Sequence, residues 1–276
     1  MNDKLLIHIP HSSLNFPKLF LTRVNDLEKV NSENIFISDY LIDQFIPNDD
    51  VNIIKFNYSR LFCDVERFKN DSDEPMSKYG MGSVYYLDSN GYKFIDYDEV
   101  YKREVICNYY DNHHKKLDSM VTDILNKNNI CYILDLHSFS DLFVNKMFNY
   151  NDTPDICIGV EDGKTDLELL NITINHFKEF NYSVKINFPY KGSIIPNKYY
   201  SANDNRIKTM MIEINKRIYL GNNCVPDKKK YKKLKKCMDL YYIKLNDYLQ
   251  KNNSSKFYIV SYTIYEVLYE IQRNFK

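Results

Sequence analysis

The sequence predicts an α/β protein with a mixed, mainly parallel β-sheet that is covered by helices on both faces. One observation supports this fold class, and a second supports a single domain. Short apolar segments, typical of buried strands, alternate along the 276 residues with longer segments of helical periodicity. In addition, the sequence shows no internal repeat and no Pro/Gly-rich hinge, so we expect a single domain over residues 1–276.

The strands are predicted from short apolar runs that are bounded by polar or turn residues. Pro10 ends the first run, at residues 5–9, because proline lacks the backbone N–H that a sheet requires. The other strands are expected at residues 51–56, 130–136, 156–160, 183–186 and 210–214. Ligands of such folds bind at the carboxyl ends of the strands, so polar residues there are the first candidates for a functional site.

Helices are predicted at residues 32–45, 101–127, 167–180 and 228–252. Ser32 suits the N-cap of the first helix, and Asp227 suits the N-cap of the last. Residues 69–98 are polar and rich in Gly, Asp and Asn, as expected for a long loop that covers or shapes a site. The lysines at residues 228–236 form either a solvated helix face or a contact for an anionic partner.

Composition argues against several classes of partner. The 37 basic and 37 acidic residues cancel, which disfavours a general nucleic-acid or membrane binder. The sequence has neither a run of 18 apolar residues nor the features of a secretory signal at residues 1–30. Its six cysteines form no CxxC pair, which suits reduced thiols. We therefore expect a cytoplasmic protein.

The most informative segment is the apolar run at residues 132–140, which contains Asp135 and His137. Residues two apart in a strand point to the same face, so these two side chains project together. Burying two such polar groups costs several kcal/mol unless they are paired. A metal ion would pair with them, the imidazole as its ligand and the carboxylate orienting that imidazole.

Other polar residues near strand ends allow two interpretations each. His11 follows the first strand and either faces a pocket or makes a hydrogen bond within its loop. Arg60 and Arg67 provide either a grip for a substrate carboxylate or a structural ion-pair network. Glu213 lies within an apolar strand, either as a general base or in a salt bridge to Arg217 or Arg60.

The remaining histidines and acids carry weaker signals. Asp39 and Asp43 are spaced i, i+4 on the first predicted helix, where they either share a cation, contact a basic partner or face solvent. His8 lies within the first strand and is expected to pack or bond internally. His176 is expected at the surface, and the pair at residues 113–114 says little by itself.

Seven short segments together resemble the N-formylglutamate amidohydrolase family, over roughly residues 5–220. They are residues 11–13, 38–43, 60–67, 110–117, 135–138, 187–193 and 212–214. That family looks like a branch of the zinc carboxypeptidase-like (phosphorylase/hydrolase-like) fold, which also contains aspartoacylase. Aspartoacylase carries an Asp-Leu-Asn-Arg segment, which residues 64–67 resemble, and an Asp-Leu-His segment, which residues 135–137 match. The basic, helical extension at residues 225–276 lies outside the match.

The resemblance implies a zinc-dependent hydrolase of the amide bond in a small N-acyl amino acid. His11 and His137 would bind one Zn²⁺ or another divalent ion. The fold's usual glutamate ligand is absent, since position 14 is leucine, and Asp39 is the candidate substitute. Glu213 would activate water, and Arg67 would orient the substrate.

By the same resemblance, further residues would contact the substrate or support a ligand. The expected substrate contacts are Arg60, Asp64, His114, Asn187 and Gly192, and Asp135 would orient a metal ligand. The chain departs from aspartoacylase at Glu66, where the relative has asparagine. It departs from dedicated deformylases at residues 187–193, where it lacks their arginine. Two alternatives remain open: a zinc peptidase or cell-wall amidase of the same fold, and a catalytically degenerate binding protein.

Overall fold

The computed structural model describes residues 2–47, 51–200 and 204–251. Its centre is one six-stranded sheet with the strand order β2-β1-β3-β6-β4-β5. The strands are β1 (Leu5–Ile9), β2 (Asn52–Lys55), β3 (Cys131–Phe139), β4 (Ile156–Val160), β5 (Val184–Ile186) and β6 (Ile207–Asn215). The six predicted strands are confirmed, and β3 and β6 extend further than predicted.

Strand pairing brings the polar residues side by side. The pairs are parallel except β4 with β6, which is antiparallel, so the predicted mixed, mainly parallel sheet is confirmed. His8 on β1 lies opposite Asp135 on β3, and His137 on β3 lies opposite Glu213 on β6. Neighbouring strands lie about 4.8 Å apart. These four side chains therefore begin from adjacent backbone positions.

The helices are α1 (Lys18–Leu21), α2 (Leu27–Ile37), α3 (Glu99–Val105), α4 (Asp111–Asn128), α5 (Asp141–Phe148), α6 (Leu167–Glu179), α7 (Asn197–Tyr200) and α8 (Lys228–Lys251). A π-helical turn, Ile106–Tyr110, joins α3 to α4, so the predicted helix at residues 101–127 is confirmed as a nearly continuous one. Short 3-10 turns occur at Ile42–Phe45, Pro75–Tyr79, Lys216–Ile218 and Asn222–Cys224. No described helix is long and apolar enough to cross a membrane.

The helix predicted at residues 32–45 was wrong in its bounds. Asp26, not Ser32, is the N-cap, and its carboxylate accepts the Lys29 N–H at 3.1 Å. Ser32 lies inside α2 and donates to the Glu28 carbonyl at 3.2 Å instead. The helix ends at Ile37 with Ser38 as its C-cap, so Asp39 lies in the turn that follows and not on a helix face. Asp43 forms an ion pair with Lys55 on β2.

Alternate residues of the strands face different helices, so helices cover both faces as predicted. Leu5 and Ile7 belong to the largest core cluster, together with buried residues of α6 and α8. Leu6 and Ile133 pack instead with Leu117 and Val121 of α4. Asp135, His137 and Glu213 share the odd-numbered positions of β3 and β6. They consequently lie on the face that α4 covers.

The last described helix is part of this core. Asp227 accepts the N–H groups of Lys229 and Lys230 at 3.0 and 2.9 Å, which confirms the predicted N-cap. Most lysines of residues 228–236 are exposed, in line with a solvated face. The prediction of a surface His176 was wrong: α8 covers its side chain, and its Nε2 lies 2.9 Å from the Cys237 carbonyl oxygen. Residues 252–276 of the predicted extension lie outside the described residues.

Candidate active site

Three predicted ligands converge in one buried group, which we call the His11 group: His11, Asp39 and His137. The Asp39 N–H donates to the His11 carbonyl oxygen at 2.9 Å, which fixes the turn after α2 beside the end of β1. Asp39 Oδ2 lies 3.0 Å from His137 Nδ1 and 3.6 Å from His11 Nδ1. The ring centroids are 5.2 Å apart. Their role as metal ligands stays a prediction.

A carboxylate lies beside the Nε2 atom of each ring. Asp64 Oδ1 accepts a hydrogen bond from His11 Nε2 at 2.7 Å, and Asp135 Oδ1 lies 3.0 Å from His137 Nε2. His11 Nδ1 is buried and has no hydrogen-bond partner among the described residues. An imidazole with one nitrogen held by a carboxylate and the other facing a second acid is typical of a metal ligand. The side chains therefore fit a divalent cation.

Charges within the His11 group stabilise one another. Burial by itself would raise the pKa of Asp39, but His11 and His137 hold it well below its usual range. Burial would likewise lower the pKa of His137, yet the carboxylates of Asp135 and Glu66 raise it well above its usual value. The lowered pKa of Asp39 favours its carboxylate form, which is the form that binds a cation.

Glu213 faces the same cavity from β6. Its side chain is only 7% exposed, and Oε2 is buried with no hydrogen-bond partner among the described residues. Burial raises its pKa to about 8, with Asp39 and Asp135 raising it further against His137 and Arg60. In the described chain, Arg217 pairs instead with Asp141 and Asp155. The salt-bridge alternative with Arg217 is therefore not supported.

Asp64 organises the two predicted substrate arginines. Arg60 donates to its carboxylate through Nε and Nη2 at 3.1 and 2.8 Å, and Arg67 Nε lies 3.6 Å away. Tyr85 donates a further hydrogen bond at 2.9 Å. Burial would raise the pKa of Asp64, but Arg60 and His11 hold it well below its usual range. These contacts engage Asp64 in positioning its neighbours, while substrate contact by Asp64 itself stays a prediction.

Two cavities meet at this site. The first cavity, of about 420 Å³, is lined by His11, His137, Glu213, Arg60 and Arg67, among others. The second cavity, of about 530 Å³, is lined by other residues that include Asp135, His114 and Gly192. Five residues line both cavities: Glu66, Arg67, Phe68, Lys191 and Met211. The two spaces therefore lie against a common wall, close to the His11 group.

The remaining predicted substrate residues lie nearer the second cavity. His114 Nε2 lies 2.8 Å from the Val65 carbonyl oxygen, and its side chain lines that cavity. Gly192 also lines it, with a φ of +84° that favours glycine. Asn187 belongs to the lining of neither cavity. Its Oδ1 accepts the N–H groups of Val160 and Gly192 at 2.9 and 3.3 Å, which shapes the loop instead.

Sequence reasoning did not predict that His8, Glu66 and Asp135 form a second polar group, which we call the His8 group. His8 Nδ1 lies 2.8 Å from Asp135 Oδ1 and 3.3 Å from Glu66 Oε1, and its Nε2 lies 2.9 Å from His113 Nε2. The prediction that His8 bonds internally is confirmed. Burial would lower the pKa of His8, but Asp135 and Glu66 raise it to about 9. Two features of the sequence could have indicated this group: the additional acid Glu66, and His8 within a predicted strand.

Comparison with known proteins supports a specific family. No curated protein matches this sequence. The crystal structure of N-formylglutamate amidohydrolase from Ralstonia eutropha is 17% identical, with a TM-score of 0.77, and the match covers 90% of this chain and 95% of that one. The crystal structure of a gene product from Agrobacterium tumefaciens is 14% identical, with a TM-score of 0.61 and coverage of 88% and 92%. These likenesses show the fold. A family model described as N-formylglutamate amidohydrolase matches residues 3–220, most of the chain, and the protein belongs to that family.

Proposed function

We propose that the protein is a zinc-dependent hydrolase of the amide bond in a small N-acyl amino acid of the N-formylglutamate type. Family membership supports an amidohydrolase that acts on a small molecule. One observation carries the metal dependence. His11 Nδ1, buried and without a hydrogen-bond partner in the described chain, faces Asp39 and lies beside His137.

His11, Asp39 and His137 would hold one Zn²⁺, or another divalent ion. When bound, the cation would polarise the acyl carbonyl and acidify a water molecule. Asp64 keeps the His11 ring in place through a hydrogen bond to Nε2, and Asp135 Oδ1 lies 3.0 Å from Nε2 of His137. Both carboxylates would also make the imidazoles more basic, which strengthens their affinity for a cation.

Glu213 would serve as the general base and then as the general acid. Its Oε2 faces no protein donor in the described chain, so the atom is available to take a proton from water. Its pKa of about 8 lies near neutrality, where a group can both accept and return a proton. The proton would then pass from Oε2 to the nitrogen of the leaving amine. This transfer avoids expelling an amide anion.

Arg67, supported by Arg60, would orient the substrate through its carboxylate. Asp64 anchors Arg60 directly and lies 3.6 Å from Arg67. Arg67 lines the first cavity, where its guanidinium would donate to the carboxylate of a bound substrate. Holding the carboxylate there would place the acyl carbon near Glu213 and reduce the entropic cost of reaction.

Glu213→Gln tests the proposed base. The variant is expected to retain the metal content of the parent but to lose about 10²- to 10⁴-fold in kcat with N-formylglutamate. Glu168→Gln, an exposed glutamate on α6, is the matched control and should keep the parent rate. A chelator should stop hydrolysis and Zn²⁺ should restore it. Turnover of Glu213→Gln at the parent rate would show that another group is the base.

The second cavity favours one alternative substrate, a peptide or cell-wall amide. A space of about 530 Å³ beyond the wall of Glu66 and Arg67 exceeds what a formyl group needs. A panel of N-formyl amino acids, longer N-acyl amino acids and dipeptides separates the two possibilities. The highest kcat/KM for N-formylglutamate would support the smaller substrate, whereas a dipeptide preference would support the peptidase.

A further inference from the structure

We propose that the His8 group is a second site for a divalent cation, formed by His8, Glu66 and Asp135 and separate from the His11 group. The site goes beyond the proposed function, which requires one ion. One imidazole and two carboxylates form a nitrogen and oxygen donor set, which suits Zn²⁺, Mn²⁺, Co²⁺ or Fe²⁺.

The donor atoms already have the spacing of a coordination sphere. His8 Nδ1 lies 2.8 Å from Asp135 Oδ1 and 3.3 Å from Glu66 Oε1. Ligand atoms around a tetrahedral zinc ion are about 3.3 Å apart, given bond lengths near 2.0–2.1 Å. In the His11 group, Asp39 Oδ2 lies 3.0 Å from His137 Nδ1 and 3.6 Å from His11 Nδ1, distances close to this value. The donor atoms of the two groups therefore have similar spacing.

Contacts outside the group fix its donors in place. His113 on α4 lies 2.9 Å from His8 Nε2, and Phe56 packs edge-on against the His113 ring. The Ile194 N–H donates to Asp135 Oδ2 at 3.3 Å, so Oδ1 is the oxygen left facing His8. Partners of this kind orient metal-binding histidines and carboxylates in proteins.

A second observation points independently to a cation. His137 is 3% exposed, and its Nε2 is buried without a hydrogen-bond partner in the described chain. That nitrogen nevertheless lies 3.0 Å from Asp135 Oδ1 and 3.2 Å from Glu66 Oε2. Glu66 Oε1 is also buried, and it lies 3.3 Å from His8 Nδ1. A buried imidazole nitrogen without a well-directed hydrogen bond, beside two carboxylates, would be a costly arrangement unless a ligand completes it.

The site also has an entry path. His8 and Asp135 are fully buried, but Asp135 lines the second cavity, and Glu66 lines both. The Glu66 side chain is 19% exposed, so an ion can reach it from solvent. A cation bound there would neutralise Glu66. The substrate carboxylate could then approach Arg67 without repulsion from the adjacent acid.

Metal stoichiometry tests the inference directly, without using activity. The full chain is stripped with a chelator, equilibrated with Zn²⁺, freed of unbound metal and measured by elemental analysis. The parent is expected to bind two equivalents per chain. Glu66→Gln and His8→Phe should each bind one, and Asp39→Asn should also bind one. Glu161→Gln, which removes another carboxylate from the second cavity, is the matched control and should bind two.

The outcomes separate this site from the proposed function. One equivalent in the parent, lost in Asp39→Asn and kept in Glu66→Gln, would overturn the second site and leave the proposed function standing. Two equivalents in the parent, Glu66→Gln and His8→Phe alike would place the second ion elsewhere and overturn the assignment. A parent that binds no metal would overturn both. Circular dichroism of each variant confirms that the protein measured is folded.

Discussion

Asp64→Asn should destabilise the protein much more than an ordinary surface change. The Asp64 side chain is fully buried and accepts hydrogen bonds from His11, Arg60 and Tyr85. Asparagine has the same shape, but it loses the charge and must direct an N–H₂ group at one of these donors. Breaking a buried ion pair costs about 3–5 kcal/mol. Because one acceptor oxygen remains, we expect the free energy of unfolding to fall by an amount near the lower end of this range, about 3 kcal/mol.

Thermal unfolding of the chelator-treated protein at pH 7 measures this loss. For a chain of this size each kcal/mol lowers Tm by about 2–4 °C, so the variant should melt about 6–12 °C below the parent. Asp73→Asn changes an exposed aspartate of the same loop region, and it should stay within about 0.5 kcal/mol. If Asp64→Asn unfolds within about 1 kcal/mol of the parent, Asp64 is not the organiser inferred from its contacts.

Lowering the pH should remove the contribution of ionised Asp64 to the free energy of unfolding. The folded-state pKa of Asp64 is lowered, so its contribution is present above the unfolded value of about 3.9. That contribution is lost as the pH falls through the lower folded pKa. In the parent, the free energy of unfolding should therefore decline below about pH 4 more steeply than in Asp64→Asn. An equally steep decline in the parent and in Asp64→Asn would show that ionised Asp64 does not stabilise the fold.

Two further predictions concern His8 and Arg67. The pKa of His8 is raised to about 9, so its contribution to stability is present below the unfolded value of about 6.5 and is lost as the pH rises through 9. Chelator-treated parent should lose on the order of 3 kcal/mol between pH 6 and pH 10, and His8→Asn should not. Arg67→Met should raise KM for N-formylglutamate about 10- to 150-fold, since charged hydrogen bonds contribute about 1.5–3 kcal/mol. An unchanged KM, or an equal rise for an N-formyl amine without a carboxylate, would refute the proposed grip.

The sheet could be predicted from sequence because its signals are local. Each strand is an apolar run, and the two-residue period alone places Asp135 and His137 on one face. The same period places Glu213 on that face of β6, although its register opposite His137 was visible only in the structure. Burial follows from the covering helices, whose periodicity is also local. The apolar runs and the two-residue period were the basis for predicting that polar residues converge at one part of the sheet.

The errors arose where distant segments decide the outcome. Asp39 was assigned to a helix because residues 32–45 have helical periodicity, but the chain turns there and bonds to the His11 carbonyl. His176 was assigned to the surface because no local pattern reveals that α8 covers it. The His8 group joins β1, β3 and the loop at Glu66, which are far apart in sequence. Only the folded chain brings such residues together.

The position of α8 has a consequence for the order in which the chain matures during synthesis. Leu5 of β1, Tyr241 and Leu245 line one small gap in the largest core, although more than two hundred residues separate them. Until α8 has been synthesised, the apolar face of β1, β3 and β6 has only the part of its cover that α6 provides. A nascent polypeptide that lacks α8 therefore exposes apolar surface, which favours contact with other molecules until this helix has packed on the sheet.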